Sequence, residues 1–185
     1  VSLLLDARVS LFGLTAAVDD LSITYFVVKG DFFKAENWEV DLGGLAIGAE
    51  IGPLSISGGL LKSGSGDNVE YLGMLLGRFG VYGLTIYGGY GEGNVNGEKF
   101  TAFFAVGAII GPIGGPPAFF LTGIGGGLGI NRKLVVPTEL SNFGDYPLIQ
   151  ALDIAAKPQD PMTQLRSLGQ YFPMQRGTFW FAAGV

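Results

Sequence analysis

The sequence predicts an all-β fold: a mainly antiparallel, strongly curved meander sheet or a barrel-like one, with a Pro-rich C-terminal crossover. Three observations support this class. Apolar and polar residues alternate along most of the chain, as in half-buried strands. Glycine makes up 32 of the 185 residues, against a usual share of about 7%. Residues 100–131 carry no charge and are interrupted by prolines and glycines. Because glycine within strands marks bends, bulges and close backbone approach, its abundance favours a curved sheet over a flat one.

The uncharged stretch consists of two apolar arms, 100–110 and 118–128, on either side of a Gly-Pro-Ile-Gly-Gly-Pro-Pro break. Three prolines, Pro112, Pro116 and Pro117, disfavour a membrane-spanning helix, since each would cost roughly 3 kcal/mol in a helix interior. Each arm has the length of a strand and is apolar on both faces. The pattern therefore predicts two central antiparallel strands, covered on both sides and joined by a turn.

The rest of the N-terminal part reads as a series of strands. Alternating patterns predict them at 2–12, 21–27, 38–51, 69–79 and 81–91. Asp19-Asp20 and Lys29-Gly30-Asp31 are predicted to bound the second strand as turns. Ser63–Asn68 and Gly93–Gly97 are predicted hairpin tips, because Gly and Asn tolerate positive φ.

Residues 137–176 form a Pro-rich crossover, which we expect to pack over a sheet edge or an open end. A helix is predicted to begin at Asp160-Pro161, since a capping residue followed by proline is a typical helix start. Residues 146–156 suggest another short helix, and 178–185 a final strand. The apolar face of the first helix is predicted to consist of Met162, Leu165 and Leu168.

We interpret residues 1–185 as a single β-rich domain or a fragment of a larger one. The chain begins at Val1 and ends in a strand-like segment, so the expected partner is the remainder of a longer polypeptide. The net charge is −5 and there is no basic block, which argues against nucleic acid. Histidine and cysteine are absent, which removes Ser-His-Asp and thiol chemistry and the usual zinc sites. We therefore expect no enzymatic activity and no cofactor.

The residues offer two candidate contact sites. A Gly-rich run, 123–129, does not fit the dinucleotide-binding pattern G-x-G-x-x-G, but the residues at its end could hold an anion. These are Asn131, Arg132 and Lys133. The second candidate is an apolar lining formed by Phe103, Phe104, Phe119 and Phe120.

Two further sets of side chains leave alternatives open. A calcium site could draw on Asp19, Asp20, Asp31, Glu36, Glu39 and Asp41, but EF-hand spacing is absent and the pattern favours solvated turns. Glu39 and Asp41 could also serve as paired carboxylates for glycoside cleavage. A platform for stacking sugars could be built from Trp38, Tyr82, Tyr87 and Tyr90, although the pattern favours core packing or aromatic pairs on the sheet surface.

Residues 111–132, the Pro-rich segment after them and the run Arg176-Gly-Thr-Phe-Trp-Phe-Ala-Ala-Gly184 resemble an uncharacterised domain of very large β-rich microbial proteins. The resemblance is centred on residues 100–185. It implies a module of a giant chain and implies no activity.

The sequence therefore favours a non-enzymatic scaffold module of a large protein, in one form enclosing an apolar groove for lipid-like ligands. Its expected location is extracellular, cell-surface or particle-associated. One alternative is an outer-membrane or membrane-inserting β module, for which strand lengths near ten are suitable. The other is a glycan-binding or glycan-cleaving domain.

Overall fold

Nine antiparallel strands form one sheet in the computed structural model, which describes residues 1–27, 34, 37–65, 68–116, 118–136 and 161–185. The strands are β1 (Ser2–Leu11), β2 (Leu14–Tyr25), β3 (Trp38–Ile51), β4 (Leu54–Ser65), β5 (Asn68–Phe79), β6 (Tyr82–Val95), β7 (Glu98–Gly114), β8 (Leu121–Arg132) and β9 (Met174–Gly184). Their order in the sheet is their order in the chain, so the predicted antiparallel meander is confirmed. The sheet is not closed, because β1 and β9 form its two edges and do not pair with each other.

The uncharged stretch forms β7 and β8, which pair with each other in antiparallel fashion as predicted. The prediction that both are central is wrong, because β8 is the second strand from the β9 edge of the sheet. Their ladder breaks between Ile110 and Gly114, where the Gly-Pro-rich sequence forms the connection. The expectation that both faces are covered is wrong. Phe104 is fully buried, whereas its neighbour Phe103 is 40% exposed on the opposite face. A strand that is apolar on both faces can have only one face buried, because much of the surface of a folded protein is apolar.

The predicted turn at Asp19-Asp20 is also wrong, because both residues lie within β2. The turn between β1 and β2 is at Phe12-Gly13, where both residues have positive φ. Asp19 and Asp20 instead form an irregularity in the β1–β2 ladder opposite Asp6, and Asp20 has φ of 52°. The predicted tip at 93–97 is confirmed as a two-residue Asn96-Gly97 turn.

One helix, α1 (Pro161–Leu168), begins where the Asp160-Pro161 signal places it and continues into a 3-10 turn, Gly169–Tyr171. Leu165 and Leu168 are buried as predicted. The helix does not lie over an edge or an open end; it packs on the face of β4 and β5. The predicted turn at 29–31, the interior of the tip at 63–68, the second helix at 146–156, the side chain of Met162 and most of the 137–176 crossover lie outside the described residues.

The core lies between this face of the sheet and the segment formed by α1 and the 3-10 turn. It contains Leu61, Leu72, Met74, Leu76, Tyr87, Phe104, Val106, Ala108, Leu165, Leu168 and Phe172. We call this side of the sheet the covered face and the other side the open face. Among the described helices, none combines the length and the apolarity that crossing a membrane requires.

Glycines on the covered face lie beneath aromatic rings from the neighbouring strand. Gly89 pairs in register with Phe104, and Gly129 pairs in the same way with Trp180. A β-carbon at Gly89 would lie 2.2 Å from the Phe104 ring, and one at Gly129 would lie 2.2 Å from the Trp180 indole. These glycines are therefore required because cross-strand rings occupy the space of a side chain.

Candidate functional site

The open face of β5 to β8 carries an apolar surface that is exposed in the structure. Directly opposed residues of adjacent strands share a face, so the registers define rows that run across the strands. The aromatic row contains Tyr71, Tyr90, Phe103 and Ile130; the small-residue row contains Gly73, Gly88, Ala105 and Leu128; the aliphatic row contains Leu75, Ile86, Gly107 and Gly126. These three rows contain no charged side chain, and their only polar side-chain groups are the two tyrosine hydroxyls.

A depression of about 370 Å³ runs over the small-residue row, and we call it the glycine trough. Its floor is the registered pair Gly73 and Gly88. One wall is Tyr71, Tyr90 and Phe103; the other is Leu75 and Ile86; Leu60 closes the β4 end. The two walls are four residues apart along each strand, which corresponds to about 13 Å between backbones. The trough is an open depression of the sheet surface and not an enclosed cavity.

Among the residues that the structure describes, no aromatic ring fills the space above the floor glycines. A β-carbon at Gly73 would meet nothing closer than 3.7 Å, and one at Gly88 would lie 3.4 Å from the carbonyl oxygen of Phe104. Gly89 lies on the covered face and differs from these two glycines, because the Phe104 ring occupies its side-chain space. The trough therefore exists because its glycines have no cross-strand partner that occupies their side-chain space.

A second depression, of about 220 Å³, adjoins the trough, and the two share Leu60 and Tyr71. It lies where β3 and β4 diverge. The last registered pair of these strands is Gly44 with Leu61, beyond which β3 pairs only with β2 and β4 only with β5. We call it the fork cavity; its polar lining is Asp41 and Lys62.

An ion pair spans the fork cavity. Lys62 Nζ donates a hydrogen bond of 2.5 Å to Asp41 Oδ1, and the Lys62 and Asp41 side chains are 26% and 51% exposed. The hydrogen bond from Lys62 lowers the pKa of Asp41, and the backbone N–H of Leu42 adds to this effect. The same hydrogen bond raises the pKa of Lys62, with smaller contributions from the nearby Tyr71 and Glu39. Both partners are therefore charged at neutral pH, with opposite charges adjacent to the apolar trough.

On the covered face, Arg132 is fully buried. Its Nη1 donates to the Glu70 carboxylate and, at 2.8 Å, to the carbonyl oxygen of Phe172. Its guanidinium lies 5.4 Å from the centroid of the Phe104 ring, which stacks on Phe172. In the described part of the chain, Nε and Nη2 have no hydrogen-bond partner. Arg132 thus joins β8 to β5 and to the segment that follows the 3-10 turn.

The three residues proposed from sequence as an anion contact do not converge. Arg132 is enclosed by the core, and Lys133 is exposed. Asn131 has φ of 52° and is held by two hydrogen bonds: its Nδ2 donates to the Thr101 carbonyl at 2.7 Å, and its Oδ1 accepts from the Gly177 N–H at 2.7 Å. The anion contact stays a prediction.

The four phenylalanines proposed as an apolar lining are also separated. Phe103 lies in the wall of the glycine trough, whereas Phe104 is in the core beneath α1. Phe119 and Phe120 are exposed in the connection between β7 and β8. Neighbouring residues of a strand point to opposite faces, so Phe103 and Phe104 cannot line one surface.

The carboxylates come together differently from the sequence-based grouping. Asp6, Asp19 and Asp20 have oxygen atoms within 4.8 Å of one another, and Asp41 is paired with Lys62 instead. Asp19 also forms an ion pair of 2.7 Å with Arg166 of α1. Asp31 and Glu36 lie outside the described residues. The aromatic platform is not assembled, since Tyr87 is in the core and Tyr90 is on the open face.

The glycine trough was not predicted, although its signal is present in the sequence. Tyr71-x-Gly73-x-Leu75 and Ile86-x-Gly88-x-Tyr90 have the same large–small–large pattern at every second position, in opposite directions. Antiparallel pairing aligns their central glycines and so creates a depression.

Comparison with known proteins gives one match. The model of DUF6603, a family of unknown function, matches residues 1–185. No curated protein and no solved structure matches the chain.

Proposed function

We propose, for a chain that belongs to the DUF6603 family, a non-enzymatic β-sheet module that serves as a scaffold within a larger protein and holds a lipid-like apolar chain in the glycine trough. The observation that carries this proposal is the exposed, uncharged trough over Gly73 and Gly88.

The physical argument is the cost of leaving such a surface in water. Burial of apolar surface contributes roughly 25 cal/mol per Å², and large contiguous apolar patches on soluble proteins mark interaction sites. Apolar chains lack hydrogen-bonding groups, so they match a floor of glycines and walls whose only polar side-chain groups are the Tyr71 and Tyr90 hydroxyls. The absence of His and Cys from the sequence supports a binding role over a catalytic one.

The test is calorimetric titration of the purified chain with the octyl ether of tetraethylene glycol, a nonionic amphiphile, below its micelle concentration. We expect saturable binding with a negative heat-capacity change, the marker of apolar burial. The double variant Gly73→Val/Gly88→Val should abolish binding, because β-branched side chains suit strands and would fill the trough.

The matched control is Gly80→Ala/Gly97→Ala, which changes two glycines in exposed turns. Both have positive φ, so this variant is destabilised but leaves the trough empty. Circular dichroism identifies variants that remain folded. Absence of saturable binding to the folded wild-type chain, or unchanged binding to the valine variant, would refute the carrier role.

A further inference from the structure

We infer that the occupant of the glycine trough is a single amphiphile with a zwitterionic head group, whose head lies at the Asp41–Lys62 pair. This inference rests on the proposed function and identifies the ligand class of the same site. Its basis is the continuity of the trough with the fork cavity through Leu60 and Tyr71.

The two adjoining depressions differ in chemistry. The trough presents apolar walls, and the fork cavity presents a carboxylate and an ammonium group 2.5 Å apart. A molecule that fills both must have an apolar chain joined to a charged end. A purely apolar ligand would leave the fork cavity to water, and a small ion would leave the trough empty.

Charge complementarity selects the head group. Glu39 lies two residues before Asp41 on β3 and shares its face, so two carboxylates accompany Lys62 and the charges around the fork cavity have a negative excess. A monoanionic head, such as a fatty-acid carboxylate, would meet this excess and is disfavoured. A head with a cationic and an anionic group can place its cation against Asp41 and its anion against Lys62 without displacing the protein's own ion pair.

Partial exposure of the pair makes this arrangement accessible. The Asp41 and Lys62 side chains are 51% and 26% exposed, so neither must be uncovered before a head group approaches. The same exposure limits the strength of the contact, because solvent screens such interactions. We therefore expect a head-group preference of about fivefold in Kd rather than several orders of magnitude.

The experiment compares four octyl amphiphiles with the same chain, each below its micelle concentration: octylphosphocholine, octyltrimethylammonium, octanoate and the tetraethylene glycol ether. Calorimetry gives Kd, and the amide chemical shifts of Gly73 and Gly88 report occupancy of the trough. We expect octylphosphocholine to bind about fivefold more tightly than the nonionic ether, and octanoate to bind most weakly.

The variant Asp41→Asn/Lys62→Met should bring octylphosphocholine to the affinity of the nonionic ether while leaving the ether unaffected. The matched control is Glu98→Gln/Arg176→Met, which removes another exposed ion pair far from the trough. This control should keep the full preference.

The outcomes separate the two proposals. Equal binding of all four amphiphiles, a preference for octanoate, or a zwitterion preference that survives Asp41→Asn/Lys62→Met would overturn this inference and leave the trough as an apolar site. Binding of none of the four to the folded chain would overturn both. A preference for octyltrimethylammonium over octylphosphocholine would also overturn the inference, since the site would then select a cation alone.

Discussion

Arg132 and Glu70, 62 residues apart in the sequence, form an ion pair whose guanidinium has no exposed surface. The Glu70 side chain is 19% exposed, so the carboxylate lies at the border of the core. The pair connects β8 with β5 across the two strands between them. A buried charge is costly without its partner, so each residue constrains the other.

Arg132→Met should destabilise the chain by about 3 kcal/mol, because it leaves the Glu70 carboxylate without its counter-charge. Urea denaturation followed by circular dichroism measures the effect. Glu70→Leu/Arg132→Met should recover most of this loss, since replacing a buried pair by apolar residues is often neutral. The two side chains would act independently if the loss of stability in the double variant equalled the sum of the losses in Glu70→Leu and Arg132→Met.

Gly88→Ala and Gly89→Ala should have opposite effects on stability, although the residues are adjacent. A β-carbon at Gly88 enters the trough, so alanine should stabilise the strand by about 0.5 kcal/mol. At Gly89 a β-carbon would lie 2.2 Å from the Phe104 ring, and overpacking should cost about 2 kcal/mol. Urea midpoints of both variants provide the comparison. Effects of the same sign and size would contradict the assignment of these glycines to opposite faces.

Tyr87 should titrate above the ordinary value for a tyrosine, because burial raises its pKa from 10.0 to about 12. Between these values the unfolded chain loses the phenolic proton and the folded chain keeps it, so stability falls as pH rises. The contribution of protonated Tyr87 to the free energy of unfolding is complete below pH 10, and it decreases by about 2–3 kcal/mol as the pH approaches 12. Ultraviolet absorbance of phenolate, with Tyr87→Phe as reference, identifies the step. Loss of absorbance near pH 10 in Tyr87→Phe, instead of near pH 12, would show that this phenol is hydrated.

Leu168→Ala should cost about 3 kcal/mol, because the side chain of this α1 residue is 2% exposed and lies in the core. Arg166→Ala, two residues earlier, removes an exposed ion pair with Asp19 and should cost less than about 1 kcal/mol. Thermal or urea unfolding of the two variants tests whether α1 acts through apolar packing. Equal losses would instead make the ion pair the main attachment of the helix.

Local sequence patterns predicted the strands well because the side-chain period of a strand is two and the turns carry Gly and Asn. The helix at Pro161 was predictable for the same kind of reason, since its start is a local signal. The turn at Asp19-Asp20 was predicted wrongly, because a strand irregularity and a turn both favour Asp. The ladder with β1, which decides between them, is not visible in the local sequence.

The candidate site was less predictable because it depends on partners distant in sequence. Gly88 and Gly89 are adjacent glycines that the local sequence does not distinguish. Only the register of β6 with β7 determines which of the two is covered by an aromatic ring. Burial of Arg132 depends on Glu70, with no local indication at either position. That Phe103 and Phe104 lie on opposite faces, by contrast, follows from strand periodicity alone and was predictable.

The strand order has a mechanical consequence. Among the described residues, every strand of the sheet is hydrogen-bonded only to the strands that precede and follow it in the chain, so no ladder bypasses an intervening strand. A pulling force at either end would peel strands away one at a time, as in unzipping, and would not have to shear the whole sheet at once. The trough lies on β4 to β7, inside the outermost strands, so it would outlast the loss of β1 or β9.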